Sequence, residues 1–171
     1  MSVNVGLVDV HELAPGLWRW TGQGEGGQDA GCVYYERGGE VCLLDPLVPP
    51  EDSDRFWAAL DRDVERAGGA VHVLLTVGSE PRSAAEIVGR YGARLWADGD
   101  PLPEGVQAFG ADRPGDHVFW LPEPRALVLG DFARQEALRP FLGLDVELIL
   151  PSRGEPVLEA GDEALRLLFA G

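Results

Sequence analysis

The sequence predicts an α/β (α+β) fold in which two mixed β-sheets carry helices on their outer faces. Two observations predict it. Strand-length apolar runs alternate along the chain with helical stripes. Each half also reads as a hairpin, a helix, a buried strand and a further helix, an order that suits stacked sheet layers with helices outside. With 171 residues, 45% of them hydrophobic, the chain suits one domain over residues 1–171 that can bury a substantial core.

The elements follow in order. Residues 16–22, GLWRWTG, form a short strand after the turn signal Ala14-Pro15-Gly16. The glycine-rich stretch QGEGGQDAG is a flexible loop. It fails as a dinucleotide fingerprint, which needs a strand before it and a helix start after it. CVYYERGGEVCLLD is a hairpin turning at Gly38-Gly39. Arg37 then pairs Glu40, Tyr35 pairs Cys42, and Cys32 falls opposite Asp45. Side chains alternate faces along a strand, so Cys32 and Cys42 point to opposite faces. Two buried free thiols are expected rather than a disulfide.

After Pro46, Pro49 and Pro50 the chain becomes helical, with Asp52 or Ser53 as N-cap and Gly68-Gly69 as the stop. Phe56, Leu60 and Val64 recur every fourth residue, and Trp57 widens their stripe. AVHVLLT is a buried parallel strand. Ser83 with Glu86 reads as a capping box opening the next helix, and RLWAD is a strand. In the second half, GVQAF is a strand and DHVFWLPEPRALVLGD a hairpin turning at Pro122-Glu123-Pro124. ARQEALRPFLG is a short helix, DVELILP a buried strand, and DEALRLLFA the last helix. Trp18, Trp20, Trp96, Phe119 and Trp120 are placed mostly in the core.

The charge balance narrows the partners. Twenty-nine acidic residues stand against 14 basic ones, a formal charge of −15. Nucleic acid and anionic membrane both need a positive surface, so neither is expected as a partner. All the basic residues are arginine, which with abundant Ala, Gly and Pro fits a GC-rich bacterial genome. No run of 18 apolar residues occurs, and the first residues lack a signal-peptide pattern. A cytoplasmic protein is the expectation.

Taken together, order and wording resemble the metallo-β-lactamase fold superfamily. LAPGLWRW is similar to its opening strand, and GCVYYERGGEVCLLDPLVPPED to its hairpin ending in an aspartate, here Asp45. VLLT, a loop and AAEIVGRYGARLWA resemble the segment bearing its main metal motif. PGDHVFWLPEPRALVLGD resembles its hairpin ending in Gly130-Asp131, and LILPSRGEPV its terminal Pro-x-His-Gly-Glu-Pro segment. The resemblance implies a four-layer αββα sandwich. It also implies a site at the strand ends between the sheets, where His-x-His-x-Asp-His helps to hold zinc or iron that generates a hydroxide nucleophile.

Carried over residue by residue, the resemblance leaves that motif nearly empty. Its histidines fall on Val77, Ser79 and Arg82, and its aspartate on Pro81. The downstream histidine falls near Asp112, the bridging aspartate on Asp131, and the final histidine on Arg153. Only Asp131 keeps the family residue, while Asp112 could offer an oxygen. No bound metal cofactor is therefore expected. Arginine would instead supply fixed positive charge beside Asp131, because a buried carboxylate without a partner is costly. Arg82 or Arg153 is expected to pair with Asp131. The three histidines, His11, His72 and His117, lack metal-ligand spacing, and only His117 is placed near the site. Ser79 has no GxSxG context.

Three functions follow. The favoured one is a non-catalytic pseudo-hydrolase that binds a small anionic ligand or a protein partner, with Arg82, Arg153, Glu80, Asp45 and His117 as candidate contacts. In the resembled enzymes, loops like the glycine-rich one border the substrate groove. The second is a divergent metal-dependent hydrolase using Asp131, Asp112, Asp45 and His117, with Glu80 as a possible base. The third is a structural or assembly subunit, such as a homodimer.

Overall fold

The computed structural model describes residues 9–130 and 134–171. Its first sheet runs in sequence order through six strands. These are β1 (Val10–Ala14), β2 (Leu17–Gln23), β3 (Asp29–Arg37), β4 (Glu40–Leu44), β5 (Val71–Leu74) and β6 (Arg94–Leu95). The first four pair antiparallel, while β4, β5 and β6 are parallel. Parallel neighbours need a crossover. Helix α1 (Ser53–Ala67) supplies the first and α2 (Ala84–Tyr91) the second. The second sheet has the order β10-β9-β8-β7, from β7 (Gln107–Gly110), β8 (His117–Leu121), β9 (Ala126–Leu129) and β10 (Leu148–Pro151). Helices α3 (Gln135–Leu138) and α4 (Gly161–Phe169) accompany it.

Three buried clusters define the layers. Trp20, Tyr34, Leu43 and Val73 pack with Phe56 and Leu60 of α1 and Ile87 of α2. Leu17, Val33, Leu44 and Leu74 of the first sheet meet Phe119, Val128 and Leu150 of the second. Val118 and Leu127 pack with Leu138, Phe141 and Leu165 on the far side. The result is the expected αββα sandwich. Its strands alternate inner and outer side chains, as two-sided burial requires.

The hairpin follows the expected register. Arg37 lies opposite Glu40 and Tyr35 opposite Cys42. Gly38 and Gly39 both have positive φ, 59° and 81°, as this tight turn demands. Cys32 packs on the helix side of the sheet and Cys42 between the sheets, and both are free and buried. Burial pushes each thiol up to about 12, so neither is a ready nucleophile. Native protein is expected to leave both thiols unmodified by a thiol-reactive dye over minutes, with reaction only after denaturation. Rapid labelling of either would contradict this placement.

Several elements differ from expectation. Strand β1 was not foreseen. Its residues are mostly exposed or half-buried, so they carry little hydrophobic signal, and Pro15-Gly16 turns it back onto β2. The glycine-rich segment is shorter than expected, because β2 and β3 pair as far as Gln23 opposite Asp29. β6 is only two residues long. β10 is an edge strand paired to β9, with a single bridge from Ile149 to Val157, rather than a fully buried one. The helix expected after Asp131 is one turn, α3, continued as a 3-10 turn over Arg139–Phe141. Pro140 has no N–H to continue an α-helix. Asp52 and Ser83 stand at the N-cap positions, but neither side chain caps its helix. Ser83 Oγ accepts the Val48 N–H at 2.9 Å instead, which fixes the proline-rich segment against α2.

The two sheets approach closely at Gly31 of β3. Its N–H donates to Ser152 O, 2.8 Å away, just beyond β10. A Cβ there would stand 2.5 Å from Pro151 O and 2.6 Å from an Arg19 nitrogen. The backbone oxygen cannot swing aside. Gly31→Ala is expected to destabilise the protein by about 1–3 kcal/mol, as overpacking does. Urea unfolding checks this, and a loss below about 0.5 kcal/mol would show that the sheets separate freely here.

Candidate functional site

The carboxyl ends of β4, β5, β9 and β10 meet at one end of the sandwich. This is where open α/β sheets place ligand crevices. The loop after β5 runs from Leu75 through Arg82 into α2. Asp45, just past β4, holds the start of that loop. Asp45 is 3% exposed. Its Oδ1 accepts the Thr76 N–H at 2.8 Å, and its Oδ2 accepts the Thr76 hydroxyl at 2.6 Å. Burial pushes its carboxyl up to about 6, against the lowering pull of the Thr76 hydrogen bonds and Arg82.

Arg82 ends the loop and reaches back across it. One terminal nitrogen, Nη1, donates to Gly31 O and to Asp45 O, both at 2.7 Å. The other, Nη2, donates to Ser152 O at 2.8 Å. Cys32 Sγ lies 3.7 Å from Nη1. One planar guanidinium thus joins β3, the end of β4 and the end of β10, and so both sheets. A fork of fixed donors suits this task, which a single ammonium could not match. Arg82 has a φ of 47°, an uncommon conformation for a residue with a Cβ. The three carbonyl bonds hold it there.

Beside this clamp lies a cleft of about 430 Å³, within the usual range of small-molecule sites. Gly24, Gln28, Ala30 and Leu47 line it together with the loop residues Ser79, Glu80, Pro81, Arg82 and Ser83, and with Arg153. Arg153 Nη2 donates to Glu80 Oε2 at 3.0 Å. The glycine-rich loop therefore does border the cleft. A second hollow of about 410 Å³, between that loop and Pro49, Pro50, Glu51 and Asp52, shares Gly24 with it.

The structure brings Ser79, Glu80, Pro81, Arg82 and Arg153 together and places other candidates elsewhere. Val77 is buried, its methyl group packed toward Gly130. Asp45 lies beneath the loop, outside the cleft lining. Asp112 is exposed, and its Oδ2 accepts the Arg134 N–H at 2.8 Å. His117 packs against Trp96 and Phe119, with Nε2 2.8 Å from Asp98. His72 is buried on β5, 3.6 Å from Glu40, and exposed His11 on β1 lies 2.7 Å from Asp9. Asp131 and its expected pairing with an arginine lie outside the described residues.

These side chains do not fit the zinc or iron that the resemblance implies. Val77 and Pro81 have no ligand atom, and Arg82 and Arg153 would bring positive charge to a cation. Zinc needs three or four nitrogen, sulfur or oxygen ligands. Among the described residues, no group of three His, Cys, Asp or Glu side chains could hold a metal ion.

Sequence reasoning missed the carbonyl clamp of Arg82, the Asp45–Thr76 tie and the part of Gln28 in the cleft wall. The first two depend on loops meeting from distant parts of the chain. Positive φ at Arg82 leaves no trace in residue type.

Comparison with known proteins gives the fold its name. The chain has the metallo-β-lactamase fold. It is similar to DIM-1 metallo-β-lactamase, with a TM-score of 0.61 at 13% identity over 95% of this chain and 97% of that one. It is also similar to a metallo-β-lactamase from Erythrobacter litoralis, with a TM-score of 0.59 at 16% identity over 98% of this chain and 94% of that one. VMB-1 follows at a TM-score of 0.56 and 15% identity, over 96% of this chain and 98% of that one. No family model matches the sequence, and no curated protein matches it. At these identities the backbone is shared, whereas the chemistry of the site must be argued from its own residues. Among the described residues, no helix is long and apolar enough to cross a membrane.

Proposed function

We propose that this chain is a non-catalytic, pseudo-hydrolase form of the metallo-β-lactamase fold, whose cleft binds a small ligand bearing an anionic group. The observation that carries the reading is the Arg82 guanidinium, bonded to carbonyls of three chain segments. A metal ion organises such a site by drawing oxygen and nitrogen ligands inward. Here a cation built into the chain draws in backbone oxygens instead. Arg153 lines the same cleft, and guanidinium pairs well with carboxylate and phosphate. The divergent-hydrolase reading is weaker, since Asp45, Asp112 and His117 are each engaged by a different neighbour.

An NMR screen of the full chain against small carboxylates, phosphates and amino acids tests the proposal. Hits should move the amide signals of Gly24, Gln28 and Ser79, and Arg153→Gln should weaken them. Shifts confined to other surfaces would overturn the ligand reading. Metal-dependent turnover of an ester or phosphodiester panel would overturn the pseudo-hydrolase reading.

A further inference from the structure

We propose that the ligand is a monoanionic amphiphile: a compact acid group held in the cleft, followed by an unbranched neutral chain that crosses Gly24 into the second hollow. This rests on the reading of the cleft as a small-anion site and deepens it by naming the class of molecule. The two hollows are of similar size, about 430 and 410 Å³, and Gly24 lines both. What divides them carries no side chain. Gly24 is one part of the divide. Gly22 is the other: it lines the second hollow, and a Cβ there would stand 3.2 Å from Cδ2 of Leu47, which lines the first.

Gly24 is not required by the backbone. Its φ of −77° and ψ of −175° are open to any residue. A Cβ would meet only ordinary contacts, 3.6 Å from Gln28 O and 3.9 Å from Ala30 Cβ. Gln28 and Ala30 line the cleft, so a side chain at position 24 would point toward it and narrow the crossing. The polar groups of Gly24 are engaged, its N–H donating to Gln28 O at 2.9 Å and its carbonyl accepting the Gly27 N–H at 3.1 Å. The crossing therefore presents Cα hydrogens, which suit a methylene chain.

Charge and burial decide the far end of the ligand. Among the described residues, the second hollow is lined by the carboxylates of Glu51 and Asp52 and by no cation. A second acid group there would meet like charge, so the ligand is not a dianion. An ammonium gains little. Glu51 is exposed, and Asp52 already lies 3.9 Å from Arg55. An exposed ion pair contributes no more than about one buried methylene. Pro49 and Pro50 offer ring faces against which several methylenes are buried at once. The tail needs no rearrangement of the Glu80–Arg153 pair, since neither residue lines the second hollow.

An NMR titration of the full chain with acetate, butanoate, hexanoate and octanoate, each below its micelle concentration, tests this. Octanedioate and octylammonium are the matched controls. All four carboxylates should move the Gln28 and Ser79 amides, and only hexanoate and octanoate should also move those of Gly22, Gly27 and Glu51. From butanoate to octanoate the affinity should rise about two- to fourfold per methylene. Octanoate should bind about tenfold more tightly than either control. Gly24→Leu should flatten the chain-length series. Because the probes act on the unmodified chain, the test survives poor folding of that variant. If the series is flat, or rises without movement at Gly22 and Gly27, the amphiphile inference fails and the small-anion reading stands. If octylammonium matches octanoate in the second hollow, Glu51 and Asp52 select the ligand and the inference fails as well. If no carboxylate perturbs the cleft, both readings fail.

Discussion

Arg82→Ala is expected to destabilise the protein by about 3–5 kcal/mol, because it removes three charge-assisted bonds to backbone carbonyls. The residue makes three charge-assisted bonds of 2.7–2.8 Å to Gly31, Asp45 and Ser152, and each bond to a charged group contributes about 1.5–3 kcal/mol. The sum is discounted because Arg82 is only part-buried and water can reach some of the freed carbonyls. Relief of the strained backbone at position 82 returns about 1 kcal/mol at most. Arg82→Lys should recover less than half of the loss, because one ammonium cannot span three carbonyls in a plane. Urea unfolding of both variants measures this. A loss under about 1 kcal/mol for the alanine variant would mean that the clamp is not a structural centre.

Asp45 gives the second large effect. Asp45→Ala leaves the Thr76 N–H and hydroxyl buried without acceptors, at a cost of about 2–4 kcal/mol. Asp45→Asn keeps an oxygen in place, and asparagine tolerates the positive φ of 51°. It therefore isolates the charge. The carboxyl titrates near 6 in the folded protein against an ordinary value of 3.8. Between those limits the folded state holds more proton than the unfolded one, so stability falls as pH rises. The stability of the native sequence relative to Asp45→Asn should therefore shrink by about 2 kcal/mol from pH 4 to pH 6 and level off above about pH 7. Unfolding series on both proteins across that range read the difference directly. A gap that widens with rising pH would show that the carboxylate is stabilised as an anion and that its hydrogen bonds outweigh burial.

Both effects concern residues whose legibility in the sequence differed. Asp45 was visible because a hairpin with Gly38-Gly39 at its turn fixes a register, and the strand beyond it ends in an acid. The same register placed Cys32 and Cys42 on opposite faces, where they lie. Helix α1 was legible from Phe56, Leu60 and Val64, a local repeat that needs no partner. The residue types from Val77 to Arg82 were also legible, because they are read directly from the sequence. What Arg82 does was not legible. Its acceptors are backbone carbonyls, and every residue has one. The nearest acceptor lies 37 residues away in sequence and the farthest 70. Ser83 misled for a related reason. Its sequence context fits a capping box, yet its hydroxyl found the Val48 N–H across the loop, and tertiary contact overrode the local preference. Strand β1 was hidden because an edge strand with exposed faces buries too little to be patterned.

The ligand-binding and pseudo-hydrolase readings share one premise: a side-chain cation has replaced a metal at the junction of the two sheets. Elemental analysis tests it most directly. Protein purified without chelator or metal-affinity tag would be assayed as isolated, and again after incubation with zinc, manganese and iron(II) followed by desalting. Less than about a tenth of an equivalent of any metal is predicted in every sample, because the described residues include no group of three His, Cys, Asp or Glu side chains that could hold an ion and zinc requires three or four ligands. Close to one or two equivalents, lost on Asp131→Ala, would contradict it. A metal centre would then operate at the carboxyl ends of these strands, and Arg82 would be its neighbour rather than its replacement.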